Sequence, residues 1–355
     1  MLSWLFAAAL AWSAPEAPAD DPIAPLLAMP PALRDAFAER VLADTPSRQA
    51  RLERLVDFVF DADGMGMRYD DAATHTVAEA YAARRANCLG FTLVFLALAR
   101  EAGLDARPQV VAQALAWQEA QGVFYRSGHV NVEIRFGARA VTLDVLRDSV
   151  ITRGRPVTLT PTQLRAHYHN NLAMAAVASG DFATARRHMA EALARDPGHA
   201  GHWSNAGVLY LRDGDAAAAR AANAEALRLA PDHANALFNA VGLARRNGDT
   251  ARVRELRARL ERMQRRDPFH HFLQAHDHDR AGDLARAIEH YRRAIALHGR
   301  DHRFHAALAD ALERSGDSAR ARTALQRAAA LSDGAARSAY EARLRAWRSE
   351  AEQER

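Results

Sequence analysis

RRANCLGFTLVFLALAREAGL, residues 84–104, is the stretch that decides the fold of the first half of the chain. It holds Cys88, the only cysteine among 355 residues, followed by an apolar run that closes on a charged turn and Gly103. This pattern predicts a buried helix with the cysteine at or next to its N-terminus. The unpaired N–H groups and partial positive charge at that end stabilise a thiolate. Cys88 is therefore a candidate nucleophile if a histidine and a carboxylate reach it from elsewhere. The alternative is a small buried apolar residue.

The residues before this stretch predict further helices. Apolar spacing indicates a helix over 32–42, and Thr45-Pro46 predicts the cap and first turn of another that runs to residue 60. Thr76 and Glu79 have capping-box spacing, so a short helix should end just before the cysteine.

After Gly103 the apolar period changes from helical to alternating. We expect strands over 109–117, 129–136 and 140–146, the last two joined as a hairpin at Gly137-Ala138. That hairpin brings His129 within a residue or two of a position opposite Asp144, which the pattern puts inside the last strand. An aspartate is disfavoured in a strand interior, so something should compensate for it.

Cys88, His129 and Asp144 together have the roles that thiol chemistry needs. The thiolate attacks a carbonyl carbon, the imidazolium protonates the leaving group, and the aspartate orients the imidazole. The Cys88 N–H, at the helix end, is a natural oxyanion donor, and the second donor is not assigned. Taken singly, His129 and Asp144 also fit an exposed strand histidine and a solvent-facing carboxylate.

These residues resemble the transglutaminase-like superfamily. The similarity covers roughly residues 34–146 and includes Tyr69-Asp70, Asn87-Cys88 with AREAGL, HVNVEI and TLDVL. It implies an α+β, papain-like core with Cys88 as nucleophile, His129 as base and Asp144 as orienting acid. The family commonly has glycine where this chain has Ala86. The superfamily includes peptidases, amidases, cross-linking enzymes and members that only bind, so the resemblance implies thioester chemistry on an amide but not a substrate.

A second pattern occupies the C-terminal half. Gly-Asp recurs every thirty-four residues, and small or apolar residues recur five and twelve places after each glycine. The glycines are Gly180, Gly214, Gly248, Gly282 and Gly316. This is the period of tetratricopeptide repeats, and five units predict an all-α, right-handed solenoid. A capping helix is expected over 335–350, with Tyr340, Leu344 and Trp347 inward. Pro268 comes three residues late, which predicts a longer second helix in the third repeat and a shorter first helix in the fourth.

Asn171, Asn205 and Asn239 occupy the same place in the first three repeats. The resemblance to tetratricopeptide repeats implies that they bind the backbone of an extended peptide. The alternative is that they satisfy helix ends inside the fold. The fourth and fifth repeats have Leu273 and Ala307 there.

A histidine-rich segment in the fourth repeat raises the question of a metal. It contains His270, His271, His276 and His278, with Asp277 and Asp279. No Glu or Cys completes a ligand set there, so we expect residues of a solvated helix face and no metal or other cofactor.

Composition argues against nucleic-acid binding, and the N-terminal segment predicts where the protein is located. The net charge is only +4, and no basic stripe with interleaved aromatics indicates nucleic-acid binding. The run LSWLFAAALAWSA resembles the apolar core of a signal peptide, is too short to span a bilayer, and is followed by Ala17-Pro18-Ala19 as a cleavage site. No basic residue precedes it. It predicts export to the periplasm or outside the cell.

The sequence thus predicts a signal peptide (1–19), a linker (20–31), a transglutaminase-like domain (32–152), a second linker (153–163), five repeats (164–334) and a capping helix with tail (335–355). The leading hypothesis is an exported thiol enzyme that acts as a peptidase, amidase or acyl transferase. Its repeats would hold a protein or peptide, either the substrate or a partner. The alternative is a non-catalytic scaffold whose repeats mediate assembly. Substrate and oligomeric state stay open.

Overall fold

The computed structural model describes residues 21–45, 47–118, 123–146, 150–153 and 155–353. The predicted signal peptide lies outside the described residues. The chain divides into two compact units, one formed by residues up to 114 with 126–198 and the other by 115–125 with 199–355.

The helices and strands follow the chain in this order. Before the repeats come α1 (Ala24–Leu27), α2 (Pro31–Phe37, continued by a π-helix, Ala38–Leu42), α3 (Arg48–Phe60), β1 (Arg68–Tyr69), α4 (Val77–Ala83), β2 (Arg85–Ala86), α5 (Cys88–Glu101), β3 (Asp105–Gln118), β4 (Val123–Phe136), β5 (Arg139–Leu143), β6 (Val150–Arg153) and β7 (Val157–Thr158). Then come α6 (Pro161–Ser179), α7 (Phe182–Arg195), α8 (Ala200–Arg212), α9 (Ala216–Leu229), α10 (Ala234–Arg246), α11 (Thr250–Gln264), α12 (Pro268–Arg280), α13 (Leu284–Leu297), α14 (His302–Arg314), α15 (Ser318–Leu331) and α16 (Gly334–Gln353).

Helix α5 is the centre of the first unit. Every residue from Leu89 to Ala99 is buried, so the helix is covered on all sides by the same apolar cluster. A helix that is apolar all round is stable in water only when it is enclosed in this way. The flanking elements α2, α3 and α4 and strand β4 therefore pack around it, and its N-terminus is the end that carries Cys88.

The strands form one five-stranded sheet and one small parallel pair. The order in the sheet is β5-β4-β3-β6, with β7 also on β3, and β1 pairs with β2 separately. The hairpin register pairs Phe136 with Arg139 and Val132 with Leu143, as the turn at Gly137-Ala138 predicts. Asp144 follows the last residue of β5 instead of lying inside the strand. This corrects the sequence prediction, because the carboxylate accepts a hydrogen bond from the Leu146 N–H in the following turn.

The predicted cap of α3 is also wrong. Ser47, not Thr45, is the N-cap, and its hydroxyl accepts from the Ala50 N–H. Thr45 instead bonds back to the Ala43 carbonyl with its hydroxyl and accepts a hydrogen bond from Arg54, so it closes the preceding turn.

Both predicted linkers are partly wrong. Ile23 and Leu26, in the first, are buried in the core of the first unit. The second linker contains β7, and Leu159 is buried while its N–H bonds to the Pro108 carbonyl. Arg165 of α6 donates to the Pro22 carbonyl at 2.7 Å. Proline and polar residues suggested linkers, but the apolar residues between them are the ones that pack.

Helices α6 to α15 form five helix pairs that follow the predicted repeat. The first pair belongs to the first unit and the other four, with α16, to the second. Each repeated glycine has a positive φ, between 70° and 91°, and each following aspartate caps the next helix. Glycine adopts this left-handed conformation at the lowest cost, which is why Gly-Asp marks every turn.

Alanines fill the helix crossings of four repeats. Ala185, Ala219, Ala287 and Ala321 are fully buried, whereas Val253 of the third repeat is only partly buried. Helix α11 is one residue longer than α9, as Pro268 suggests, but α12 is not shortened: it has the same length as α10. Pro268 is the first residue of α12, a position where its missing N–H costs nothing.

In the final helix α16, Leu344 is buried, while Tyr340 and Trp347 are partly buried. Among the described residues, no helix has an apolar stretch long enough to cross a bilayer.

Candidate functional site

The candidate site begins at the N-terminus of α5. Asn87 is the N-cap, and its Oδ1 accepts from the Gly90 N–H at 3.0 Å. Its amide also donates to the Thr74 hydroxyl at 2.7 Å, and both side chains are buried. Asn87 thus fixes the helix start, so Cys88 is the first helical residue and its thiol is half-buried. The N–H groups of Cys88 and Leu89 have no acceptor within the described residues, as is usual in the first turn of a helix.

His129 and Asp144 form a close, buried pair. The imidazole Nε2 donates to the carboxylate oxygens of Asp144 at 2.7 Å each, and the side chains are 4% and 10% exposed. Because Nε2 is occupied, Nδ1 is the nitrogen left for the thiol. Cys88 lies close enough to the His129 ring to help raise the pKa of His129. The structure therefore brings together all three residues that the sequence singled out.

The electrostatics of the pair favour the ion-paired form. Burial by itself lowers the pKa of His129, but the hydrogen bonds to Asp144 and the proximity of Cys88 outweigh it and raise the pKa to about 9. Burial alone raises the pKa of Asp144, yet the hydrogen bonds from His129, Asn131 and the Leu146 N–H give a net lowering. An imidazolium beside a thiol and a carboxylate at neutral pH is the charge distribution that general acid catalysis by histidine requires.

Two further residues of the site were missed as functional candidates in the sequence. Asn131 donates through Nδ2 to Asp144 at 3.0 Å, and its position two residues after His129 on the same strand face was the available signal. Tyr69 is the other: burial raises its pKa, and the charges of Cys88, Asp71 and Asp144 raise it further. Its phenol therefore stays neutral and can act as a hydrogen-bond donor.

Ala86 fits the site because Gly90 leaves space for it. A Cβ on Gly90 would lie 2.7 Å from the Ala86 Cβ and 3.3 Å from the His75 carbonyl. Ala86 has no positive φ and is fully buried in β2. The alanine that departs from the family pattern is therefore accommodated by the glycine one helical turn away.

The asparagines of the repeats differ among themselves. Asn171, Asn205 and Asn239 are all partly buried on the first helices of their repeats. The Asn239 amide donates to the Ser204 carbonyl and hydroxyl at 3.4 Å. That contact favours the alternative of an internal structural role for Asn239. Peptide binding by the three asparagines stays a prediction.

The histidines of the fourth repeat are engaged with neighbours rather than spread along a solvated face. His271 is buried, donates through Nε2 to the Arg265 carbonyl and has its Nδ1 3.3 Å from Nδ1 of His290. His278 lies against the same His290 ring, and Asp279 pairs with Arg314. The expectation of a solvated face is therefore wrong for the buried His271, whereas His278 and Asp279 are partly buried and Asp277 is exposed.

Taken together, the cysteine at the start of a buried helix and the histidine and aspartate of a β-hairpin belong to one α+β domain. Comparison with protein families identifies the domain: residues 35–145 match the transglutaminase-like superfamily. Residues 170–234 and 272–336 match the tetratricopeptide repeat. The chain thus carries a transglutaminase-like domain followed by tetratricopeptide repeats, as the sequence predicts.

Comparisons with individual proteins add less. No curated protein matches. Among solved structures, MamA (41-end) from Desulfovibrio magneticus RS-1 is 17% identical, with 47% of this chain and 94% of that one covered and a TM-score of 0.27. PilF of Pseudomonas aeruginosa is 16% identical, with 50% and 81% covered and a TM-score of 0.28. YrrB, a tetratricopeptide-repeat protein, is 14% identical, with 47% and 86% covered and a TM-score of 0.27.

Proposed function

We propose that the first unit is a thiol enzyme that transfers the acyl group of a peptide or amide through a thioester on Cys88. One observation carries the proposal: a buried His129–Asp144 pair lies near the half-buried Cys88 at a helix N-terminus. A cysteine with only a structural role needs neither a charged partner nor access to solvent.

In the proposed reaction His129 first gives up a proton and later takes one back, and Cys88 first forms a thioester and is then released. The Cys88 thiolate attacks the carbonyl carbon, and the oxyanion that forms lies at the free N–H groups of the first turn of α5. When the C–N bond breaks, the His129 imidazolium gives its proton to the leaving amine and the thioester remains. His129 then takes a proton from water or from an acceptor amine, which attacks the thioester and releases Cys88. Water gives hydrolysis and an amine gives transfer.

The test is the rate of Cys88 alkylation by iodoacetamide as a function of pH. We expect the wild-type protein to react well at pH 6, below the range in which an ordinary thiol with a pKa of about 8.5 ionises. His129→Gln should lose this reactivity at pH 6, by about a hundredfold, because it has no imidazolium to stabilise the thiolate. Far-ultraviolet circular dichroism serves as the folding control. A wild-type rate that follows an ordinary thiol, unchanged in His129→Gln, would contradict the proposal.

The repeats support a binding role for the second unit. Tetratricopeptide repeats suggest protein–protein interaction, and the partner would be a protein or peptide held on the helical array. The scaffold alternative rests on the same repeats and makes the first unit non-catalytic. In that case Cys88→Ala should leave a cellular phenotype unchanged, whereas an enzyme would lose it.

Asn205→Ala and Asn239→Ala test the proposed asparagine contacts. If the asparagines hold a peptide, partner capture should fall while the thermal unfolding midpoint changes little. If they only satisfy the fold, capture should persist and stability should fall, by about 1 kcal/mol for Asn239 because its bonds to Ser204 are lost.

Export is part of the proposal and rests on the apolar run that ends near Ala14 and on Ala17-Pro18-Ala19. Cell fractionation, with N-terminal sequencing of the mature protein, is the direct test. A protein that stays in the cytoplasm with residues 2–19 attached would contradict it.

A further inference from the structure

A cleft next to the thiol site is lined by three arginines. It encloses about 660 Å³, and its lining includes Phe60, Arg68, Tyr69, Arg84 and Arg85. All of these residues belong to the first unit. The cleft therefore combines an aromatic wall with a cationic rim.

The parallel pair of β1 and β2 contributes residues to the cleft and leads directly to Cys88. Strand β1 pairs in parallel with β2, so that Arg68 lies opposite Arg85 and Tyr69 opposite Ala86. Cys88 follows Arg85 by three residues, which places the two Cα atoms within about 11 Å even for a fully extended chain. Tyr69 lines the cleft and pairs with Ala86, two residues before Cys88. A substrate bound at Cys88 can thus extend into the cleft.

The positive charge of the cleft is only partly neutralised. Arg85 pairs with Asp70 at 3.5 Å, and both side chains are solvent-accessible. Within the described part of the chain, Arg68 and Arg84 have no carboxylate partner. The Arg84 guanidinium donates only a long hydrogen bond, 3.4 Å, to the Ala62 carbonyl. The cleft therefore keeps two guanidinium groups that can bind an anion in bidentate fashion.

Arg84 also has an unusual backbone conformation. It ends α4 with φ 53° and ψ 31°, the left-handed region in which glycine or asparagine is less strained. Such strain is found where the surrounding structure or a binding role requires the side chain. The Arg84 side chain lies over Gly66, where a Cβ would come within 3.1 Å of its Nη1, so the loop next to the cleft is shaped to receive it.

The lining of the cleft also includes an exposed aromatic side chain. Phe60 is 43% exposed, and its ring stacks on Phe91 of α5 at a centroid distance of 5.8 Å. A large exposed aromatic side chain beside cations suits a segment that carries both an apolar part and a carboxylate.

We infer that this cleft binds a carboxylate of the substrate peptide, on an acidic side chain or at a chain end, near the amide that Cys88 attacks. The inference rests on the proposed function and adds a substrate class to it: acidic peptides. Phe60 contacts the apolar part of the bound residue, and Arg68 and Arg84 contact its carboxylate.

Three alkylating probes of equal size test the inference without knowledge of the substrate. They are N-chloroacetyl-glutamine amide, which is neutral, N-chloroacetyl-glutamate amide, with a side-chain carboxylate, and N-chloroacetyl-glutamine, with a terminal carboxylate. We measure the rate of Cys88 alkylation by each at pH 7 and low salt. At least one anionic probe should react about three- to tenfold faster than the neutral one, because one or two guanidiniums attract its charge at short range. The anionic probe that reacts faster shows whether the cleft prefers a side-chain carboxylate or a carboxylate at the chain end.

Arg68→Gln and Arg84→Asn should each reduce this preference and leave the rate of the neutral probe unchanged. Asparagine suits the left-handed conformation at position 84, so folding is preserved. The matched control is Arg48→Gln at the far end of α3, about 18 Å of helix from Phe60. It should keep the full preference, and 0.5 M salt should weaken the preference in the wild type.

Equal rates for the three probes, or an equal loss of preference in Arg48→Gln, would overturn the inference. The rate of the neutral probe against pH reports the proposed thiolate separately. A chain with an ordinary thiol can therefore still show the anion preference, and an activated thiol can lack it, so the two proposals fail independently.

Discussion

The two regions of this protein use helices in opposite ways. In the first unit one helix, α5, is enclosed on every side, and its buried residues run without a break from Leu89 to Ala99. In the repeats each helix buries only a stripe, with alanines such as Ala219 and Ala226 at the crossings. Because α5 is enclosed on every side, its ends are held in place by the surrounding core. The stacked helices of the repeats instead make the same contact with each neighbour. The difference explains why the candidate site lies at an end of α5.

Replacing a glycine with alanine should change the free energy of unfolding in opposite directions in the two regions. Gly90→Ala should destabilise the first unit by about 1–3 kcal/mol, because the new methyl would lie 2.7 Å from the Ala86 Cβ. Gly242→Ala, in α10, should stabilise by about 0.5–1 kcal/mol, since nothing lies within 4 Å of its Cβ and alanine favours a helix. Urea unfolding of both variants measures the two signs. Equal changes would show that the packing of α5 is no tighter than that of the repeats.

A smaller effect is expected at Asn131. Asn131→Ala removes a hydrogen bond to the Asp144 carboxylate, and a bond to a charged group contributes about 1.5–3 kcal/mol. Part of that loss should appear as about a tenfold slower alkylation of Cys88 at pH 6, because Asp144 then holds His129 less firmly. Glu133→Ala, two residues further along the same face of β4, is the control and should leave the rate unchanged. If both variants react at the wild-type rate, Asn131 does not position Asp144.

Another prediction concerns the pH dependence of the stability that the His129–Asp144 pair contributes. Because the pKa of His129 is raised to about 9, its protonation stabilises the fold. This contribution is complete below about pH 6.5, the ordinary histidine pKa, and is lost as the pH rises through about 9. The lowered pKa of Asp144 gives the opposite dependence: its contribution is present at neutral pH and is lost on acidification.

Nuclear magnetic resonance measures this titration directly. The His129 Cε1–H signal, assigned by its absence in His129→Gln, should have a midpoint near pH 9 in the wild type. In Asp144→Asn the midpoint should move down towards the ordinary value, because the carboxylate partner is gone while burial remains. A wild-type midpoint near 6.5 would mean that the pair is not charged at neutral pH.

Much of the fold was predictable because it depends on periodic patterns in the sequence and on residues that begin or end helices and strands. The thirty-four-residue Gly-Asp repeat predicts the helix pairs, since each glycine takes a positive φ and each aspartate caps a helix. The helix at Cys88 and the hairpin at Gly137-Ala138 follow from an apolar run and from alternation. These are local features, and the sequence contains all the residues that form them.

The parts that could not be predicted depend on contacts between distant segments. Nothing in the sequence near Ile23 shows that it packs into the first unit, and nothing near Leu159 shows that its N–H bonds to Pro108. In the site, Cys88, His129 and Asp144 were predictable from their chemistry and their order in the sequence. Asn131 and Tyr69 were not, because their roles depend on how the hairpin and β1 pack in the folded domain. The arginine cleft likewise requires the pairing of β1 with β2.

The joint action of Cys88, His129 and Asp144 is tested by the reaction of the full-length protein with 4-nitrophenyl acetate at pH 7. We predict a burst of one 4-nitrophenolate per chain, acetylation of Cys88 detected by mass spectrometry, and slower turnover as His129 activates water against the thioester. His129→Gln should lack the burst, and Cys88→Ala should release no more product than buffer. Acetylation of Cys88 at the same rate in the wild type and in His129→Gln would contradict the claim that Cys88, His129 and Asp144 act together.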